Sequence, residues 1–136
     1  MKNKISISEL CKIAHINSSS KDFWTDCDIC KGGKSFYAYT KKTVCKNCTP
    51  SGKNKRNISE LLMLIVTEIA EACEGLRHGN PASNHIPKFS LVEEELADAI
   101  IRIADLSGAY RYRLEEAILA KLKFNKTRPI KHGKKF

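Results

Sequence analysis

The sequence predicts a mainly α-helical bundle interrupted by a small four-cysteine zinc ribbon built on a short β-hairpin. Three observations carry this expectation. Apolar residues recur at spacings of three and four over residues 58–76 and again over 92–106, the pattern of helices with one buried face. Two C-x-x-C pairs, Cys27/Cys30 and Cys45/Cys48, stand fourteen residues apart, a spacing that suits two tight knuckles closing a tetrahedral site for structural Zn²⁺. Between the knuckles, "KSFYAYTKKTV" alternates as a hairpin does. The expected organisation is a helical domain formed by residues 1–24 and 57–136, with the ribbon, residues 25–56, as an insertion that a flexible linker could replace.

Taken in chain order, "ISELCKIAHINSSSKDFW" reads as a helix that ends near the aromatic pair Phe23 and Trp24. Cys11 on this helix and Cys73 further on read as small core residues. After the ribbon, the polar linker "SGKNKRN" leads into a second helix, opened by Asn57 and Glu60 as a capping box and ended by Gly79 and Pro81. Its apolar stripe is Ile58, Leu61, Leu62, Ile65, Ile69, Ala72, Cys73 and Leu76. Glu68 interrupts that stripe, three residues after Ile65 and four before Ala72, and Glu71 shares its edge one turn on. A third helix opens at Ser90 with Glu93 as a capping box and carries the stripe Val92, Leu96, Ala99, Ile103 and Leu106. Here Glu95 interrupts the stripe and Asp98 follows at i+3, while Glu94 reads as a group that supports them. A fourth helix covers roughly residues 113–126, before a basic, proline-bounded tail.

Two acidic pairs on antiparallel helices bring four carboxylates to one seam, where like charges repel unless a cation sits among them. Oxygen-only ligands of this kind suit Mg²⁺ or Mn²⁺. Glu68, Glu71, Glu95 and Asp98 are therefore the expected ligands. The four thiolates leave no open position, so the zinc is structural.

The bulk properties agree. At 136 residues the chain makes one domain with at most a small appendage. No apolar run approaches the roughly 20 residues of a membrane helix, and "MKNKISISELCKIAH" lacks the apolar core of a signal peptide. A cytoplasmic, reducing location is expected, with the six cysteines as thiols or ligands rather than disulfides. The net charge of +9 is segmented: +8 over residues 1–56, −6 over 57–120 and +7 over 121–136. An acidic middle between basic ends is what a metal-and-phosphate site requires. In the ribbon, Lys31, Lys34, Lys41, Lys42 and Lys46 interleave with Phe36, Tyr37 and Tyr39, which suits stacking on single-stranded nucleic acid or, equally, a minimal ribbon core. "GGKS" lacks the upstream glycine of a phosphate loop, and neither H-E-x-x-H nor a deaminase H-x-E is present.

These motifs carry a resemblance. E-x-x-E at Glu68 and Glu71, E-x-x-D at Glu95 and Asp98, K-x-x-x-N-x-x-R at Lys121, Asn125 and Arg128, and "KDFW" after the first helix resemble the MazG-like branch of the all-α nucleoside triphosphate pyrophosphohydrolases. The resemblance covers residues 5–24 and 57–136; the ribbon departs from it. It implies Mg²⁺-dependent cleavage of a nucleoside triphosphate to the monophosphate and pyrophosphate, in a homodimer or homotetramer. Glu68 or Glu71 would accept the proton of the attacking water. Lys121, Asn125 and Arg128 would hold phosphates, with His132 and Lys134 as weaker candidates, and Trp24 would stack on the base. His15, His78 and His85 read as surface or loop residues, His15 being the likeliest exception because it precedes the base pocket. The alternative class is a ribbon that grips nucleic acid or a protein partner, attached to a catalytically weak helical oligomerisation core.

Overall fold

A computed structural model describes residues 4–38 and 41–129 of the chain. The side chains of Phe36, Tyr37, Tyr39, Lys41, Lys42, His132 and Lys134, singled out above, lie outside what it describes. The elements are α1 (Ile7–Ser20), β1 (Ser35–Ala38), β2 (Lys41–Val44), α2 (Ile58–Arg77), α3 (Leu91–Tyr110) and α4 (Leu114–Lys126).

Local chemistry fixes the helix starts. Ser6 accepts from the Glu9 N–H to cap α1, and Ser90 and Glu93 form the expected reciprocal capping box on α3. Asn57 caps α2, but its side chain accepts from Ser59 N–H rather than joining a box with Glu60. The first turn of α4 has no side-chain cap; Glu115 instead accepts from Ser8 on α1, which ties the two helices together.

The central helix is α3, with α1 packed on one side and α2 on the other. Small residues permit the close approach. A Cβ on Gly108 would lie 2.4 Å from the Cys11 carbonyl oxygen and 2.7 Å from His15 Cβ, so α1 and α3 touch backbone to backbone there. The interior is small: Trp24, Leu61, Leu106 and Ala109 form one cluster, and Cys11, Ala14 and Ala104 another.

The helices lie where expected, yet the buried edge of α2 does not. Leu61, Glu68, Ala72 and Gly75 are buried, whereas Ile58, Leu62, Val66, Ile69, Cys73 and Leu76 are exposed. On α3, Ala99, Ala104 and Ala109 are buried while Leu96 and Ile103 are exposed. Cys73 is thus not a core residue. The reason is steric: α2 and α3 meet through their small side chains, with Leu91 set against Gly75, and the larger aliphatics are left on the flank. Among the described residues no helix is long and apolar enough to cross a membrane.

The β1–β2 hairpin is antiparallel, pairing Ser35 with Val44 and Ala38 with Lys41. Isolated bridges between Asp26 and Lys53 and between Cys48 and Asn54 close the ribbon behind it. Gly52 is required at its turn: φ is +92°, and a Cβ would lie 2.4 Å from the Gly32 carbonyl oxygen.

Candidate functional site

The four ribbon cysteines are all buried and their Sγ atoms lie within 4.8 Å of one another. Cys27 to Cys45 and Cys30 to Cys48 are each 3.7 Å apart. A tetrahedral site with Zn–S bonds of about 2.3 Å has edges of about 3.8 Å, so the set fits Zn²⁺. Without a cation the thiols cannot ionise together. The backbone N–H of Cys30 brings Cys27 down to about 7, but burial, followed by hydrogen bonds to Cys30 and Cys45, pushes Cys48 up to about 12.

The acidic seam forms between α2 and α3. Glu68, Glu71 and Glu95 each place a carboxylate oxygen within 4.8 Å of the others, and Glu68 and Glu95 are buried while Glu71 is exposed. Asp98 lies one turn further along α3, half-buried and outside that tight group. Burial raises the Glu95 carboxyl above its ordinary range, and the charges of Glu71 and Glu68 raise it further. Asp98 is raised by burial and then by Glu68 and Glu94, with Arg102 and His85 opposing. The convergent oxygens of Glu68, Glu71 and Glu95 could hold a metal ion, which would relieve the repulsion among them.

Beside the seam lies a cleft of about 300 Å³. The end of α1 supplies Ala14, Asn17, Ser18 and Lys21, the next residues Phe23 and Trp24, the ribbon exit Arg56, α2 Leu61 and Leu64, and α3 Asp98, Ile101, Arg102, Asp105 and Leu106. Arg102 joins cleft and seam, because its Nε donates to Glu68 Oε1 at 2.6 Å. Trp24 lines the cleft but is only 2% exposed: its edge meets His15, and the Arg56 guanidinium lies 5.3 Å above its ring. Trp24 Nε1, Ser18 Oγ and His15 Nδ1 all reach Asp105, each at 2.9 Å. Burial would raise the Asp105 carboxyl, but the hydrogen bonds from His15, Trp24 and Ser18 outweigh it and hold the group ionised below its usual range.

The fold does not bring every expected group together. Lys121, Asn125 and Arg128 lie on and just beyond the exposed α4, where Lys121 and Arg128 flank the Phe124 ring at 4.7 and 5.9 Å. Several groups beside the site, Arg102, Asp105, Lys21 and Arg56 among them, are not singled out in the sequence, and His85 is expected only as a surface or loop residue. Arg102 and Asp105 continue a polar line from Asp98 at spacings of four and three, which is a legible signal. His85 leaves no such trace: its loop brings Nδ1 to 2.7 Å from the buried Glu94, whose carboxyl is lowered by hydrogen bonds from Ser83 and His85. His78 stays exposed beside Glu74. Comparison with protein-family models, curated proteins and solved structures gave no match.

Proposed function

We propose that the chain is an Mg²⁺- or Mn²⁺-dependent nucleoside triphosphate pyrophosphohydrolase of the MazG-like kind, yielding a nucleoside monophosphate and pyrophosphate. The observation that carries the reading is the convergence of Glu68, Glu71 and Glu95 from two helices beside a cleft of aromatic and cationic groups. Glu68, Glu71 and Glu95, with Asp98 completing the set, would hold the ion, which when bound neutralises phosphate charge and acidifies a water.

The remaining roles belong to the chain itself. The base and sugar occupy the cleft against Phe23 and Arg56, and Lys21 and Arg102 draw the phosphates toward the seam. Glu71 takes the proton of the attacking water, because Glu68 is held by Arg102 while Glu71 is exposed. The water oxygen bonds to the α phosphorus as the bridge to the β phosphorus breaks, and the electron pair leaves with pyrophosphate. Lys121, Asn125 and Arg128 reach this site from a neighbouring subunit of a homodimer or homotetramer.

The test is to incubate the protein and Mg²⁺ with a panel of ribo- and deoxyribonucleoside triphosphates and separate the products. Monophosphate and pyrophosphate are expected, with turnover lost in Glu71→Gln while far-UV circular dichroism is unchanged. Orthophosphate and diphosphate would overturn the reading. Exposed Lys31, Lys34 and Lys46 on the ribbon favour a second one, binding of nucleic acid without turnover. The same panel decides between them, because that reading requires no hydrolysis at all.

A further inference from the structure

The ribbon and the helices share a buried polar connection. Thr49, directly after the ligand Cys48, is 1% exposed, and its Oγ1 meets Ser51 Oγ at 2.8 Å. Ser51 enters the core twice: its N–H donates to the Ala109 carbonyl at 3.2 Å, and its Oγ meets His15 Nε2 at 3.0 Å. His15 then bonds Asp105, which also holds Trp24. With Asp105 ionised, Nδ1 of His15 is a donor, and in the neutral ring Nε2 accepts from the Ser51 hydroxyl. Ser51 in turn accepts from Thr49, whose oxygen receives the Lys53 N–H at 3.1 Å. Each polar group is satisfied in one direction along the line.

Ser51, His15 and Asp105 are aligned like the members of a nucleophilic triad, but the surroundings argue against that use. The N–H of Ser51 is committed to Ala109 and that of Gly52 to the Thr49 carbonyl, so neither can stabilise an oxyanion. The Ser51 oxygen is moreover shared with Thr49. What remains is a positioning role.

We infer that the zinc ribbon is a working part of the cleft: the knuckle after Cys48 holds Ser51 on His15, His15 on Asp105, and Asp105 on Trp24. Metal in the four-thiolate site thereby sets the placement of the cleft's aromatic wall. Ser51 and His15 are positioning residues in this scheme. Arg56, the last residue of the ribbon segment, reinforces it by donating to the Phe23 carbonyl and covering Trp24. The connection does not depend on which ligand the cleft takes, so it stands apart from the pyrophosphohydrolase reading.

Trp24 is the chain's only tryptophan, which gives the test a clean signal. Emission and acrylamide quenching are measured on the full chain with Zn²⁺ bound, after chelation, and after Zn²⁺ is restored, with far-UV circular dichroism recorded alongside. Chelation is expected to shift the emission to longer wavelength and raise quenching several-fold while the helices persist, and Zn²⁺ to reverse both. Unchanged emission in a chain whose four ribbon thiols have become reactive overturns the inference. Should chelation also melt the helices, the zinc-loaded variants decide. Ser51→Ala should shift the emission and Ser51→Thr, which keeps the hydroxyl, should restore it; no shift in Ser51→Ala overturns the inference.

Discussion

Two carboxyls, Glu95 and Asp105, sit on the same helix and are shifted in opposite senses. Glu95 is raised above its ordinary 4.5, so it stabilises the fold while protonated and that contribution is lost as pH rises through its native value. Asp105 is lowered below 3.8, so its contribution is present above that value and lost as pH falls through the native one. A simple pH scan therefore mixes the two, and substitution separates them. Glu95→Gln removes a repelling charge from the seam; at pH 7 and free of metal it should melt roughly a few degrees above the parent. Mg²⁺ is expected to raise the Tm of the parent, and the same change is expected to abolish that rise by removing a proposed ligand. An undiminished Mg²⁺ effect in Glu95→Gln would remove Glu95 from the site. The difference between the two carboxyls also marks what the sequence could reveal. Glu95 was legible because an acid inside an apolar stripe breaks a period. Asp105 owes its state to donors 81 and 90 residues away, and no local pattern encodes those.

At the scale of elements, helix spans and the α3 cap were legible because they rest on neighbours a few residues apart, whereas the box expected of Asn57 and Glu60 does not form. The Ser90–Glu93 box and the span of α4 followed from local chemistry. Which edge of α2 packs did not, since both edges are apolar and the choice is made by small residues on another helix. Gly108 shows how decisive such a residue is. Alanine at an exposed helical site would gain about 1 kcal/mol over glycine. Here its Cβ would sit 2.4 Å from the Cys11 carbonyl oxygen, which is backbone and cannot swing aside. Overpacking costs about 1–3 kcal/mol. Gly108→Ala should therefore lower the unfolding free energy in urea by up to about 2 kcal/mol, net of the propensity gain. It should also perturb Trp24 emission, because His15 moves with α1. A stabilised variant would mean that α1 and α3 are not in contact at that point.

For the whole molecule, the informative feature is apolar surface left without a partner. Leu62, Val66, Ile69, Cys73 and Leu76 run along α2 at spacings of four and three, all exposed, and Leu96, Ile100 and Ile103 repeat the pattern on α3. Single exposed aliphatics are ordinary, but two helical stripes of them are not. A second copy of the chain is the occupant consistent with the proposed chemistry, because α4 carries Lys121, Asn125 and Arg128 outward and a neighbour's seam would receive them. Light scattering should then report a dimer or tetramer at micromolar concentration. Two aliphatic side chains buried at such an interface contribute about 1.5–3 kcal/mol each. Replacing Val66 and Ile69 together with lysine should raise the dissociation constant by at least about two orders of magnitude. Both residues are exposed within one chain, so the separated subunits should keep their helical signal. Their turnover should nevertheless fall, since each seam would lack the phosphate-binding groups of its neighbour. Full activity in a monomeric variant would return Lys121, Asn125 and Arg128 to a solvated tail and leave Lys21 and Arg102 as the phosphate-binding set.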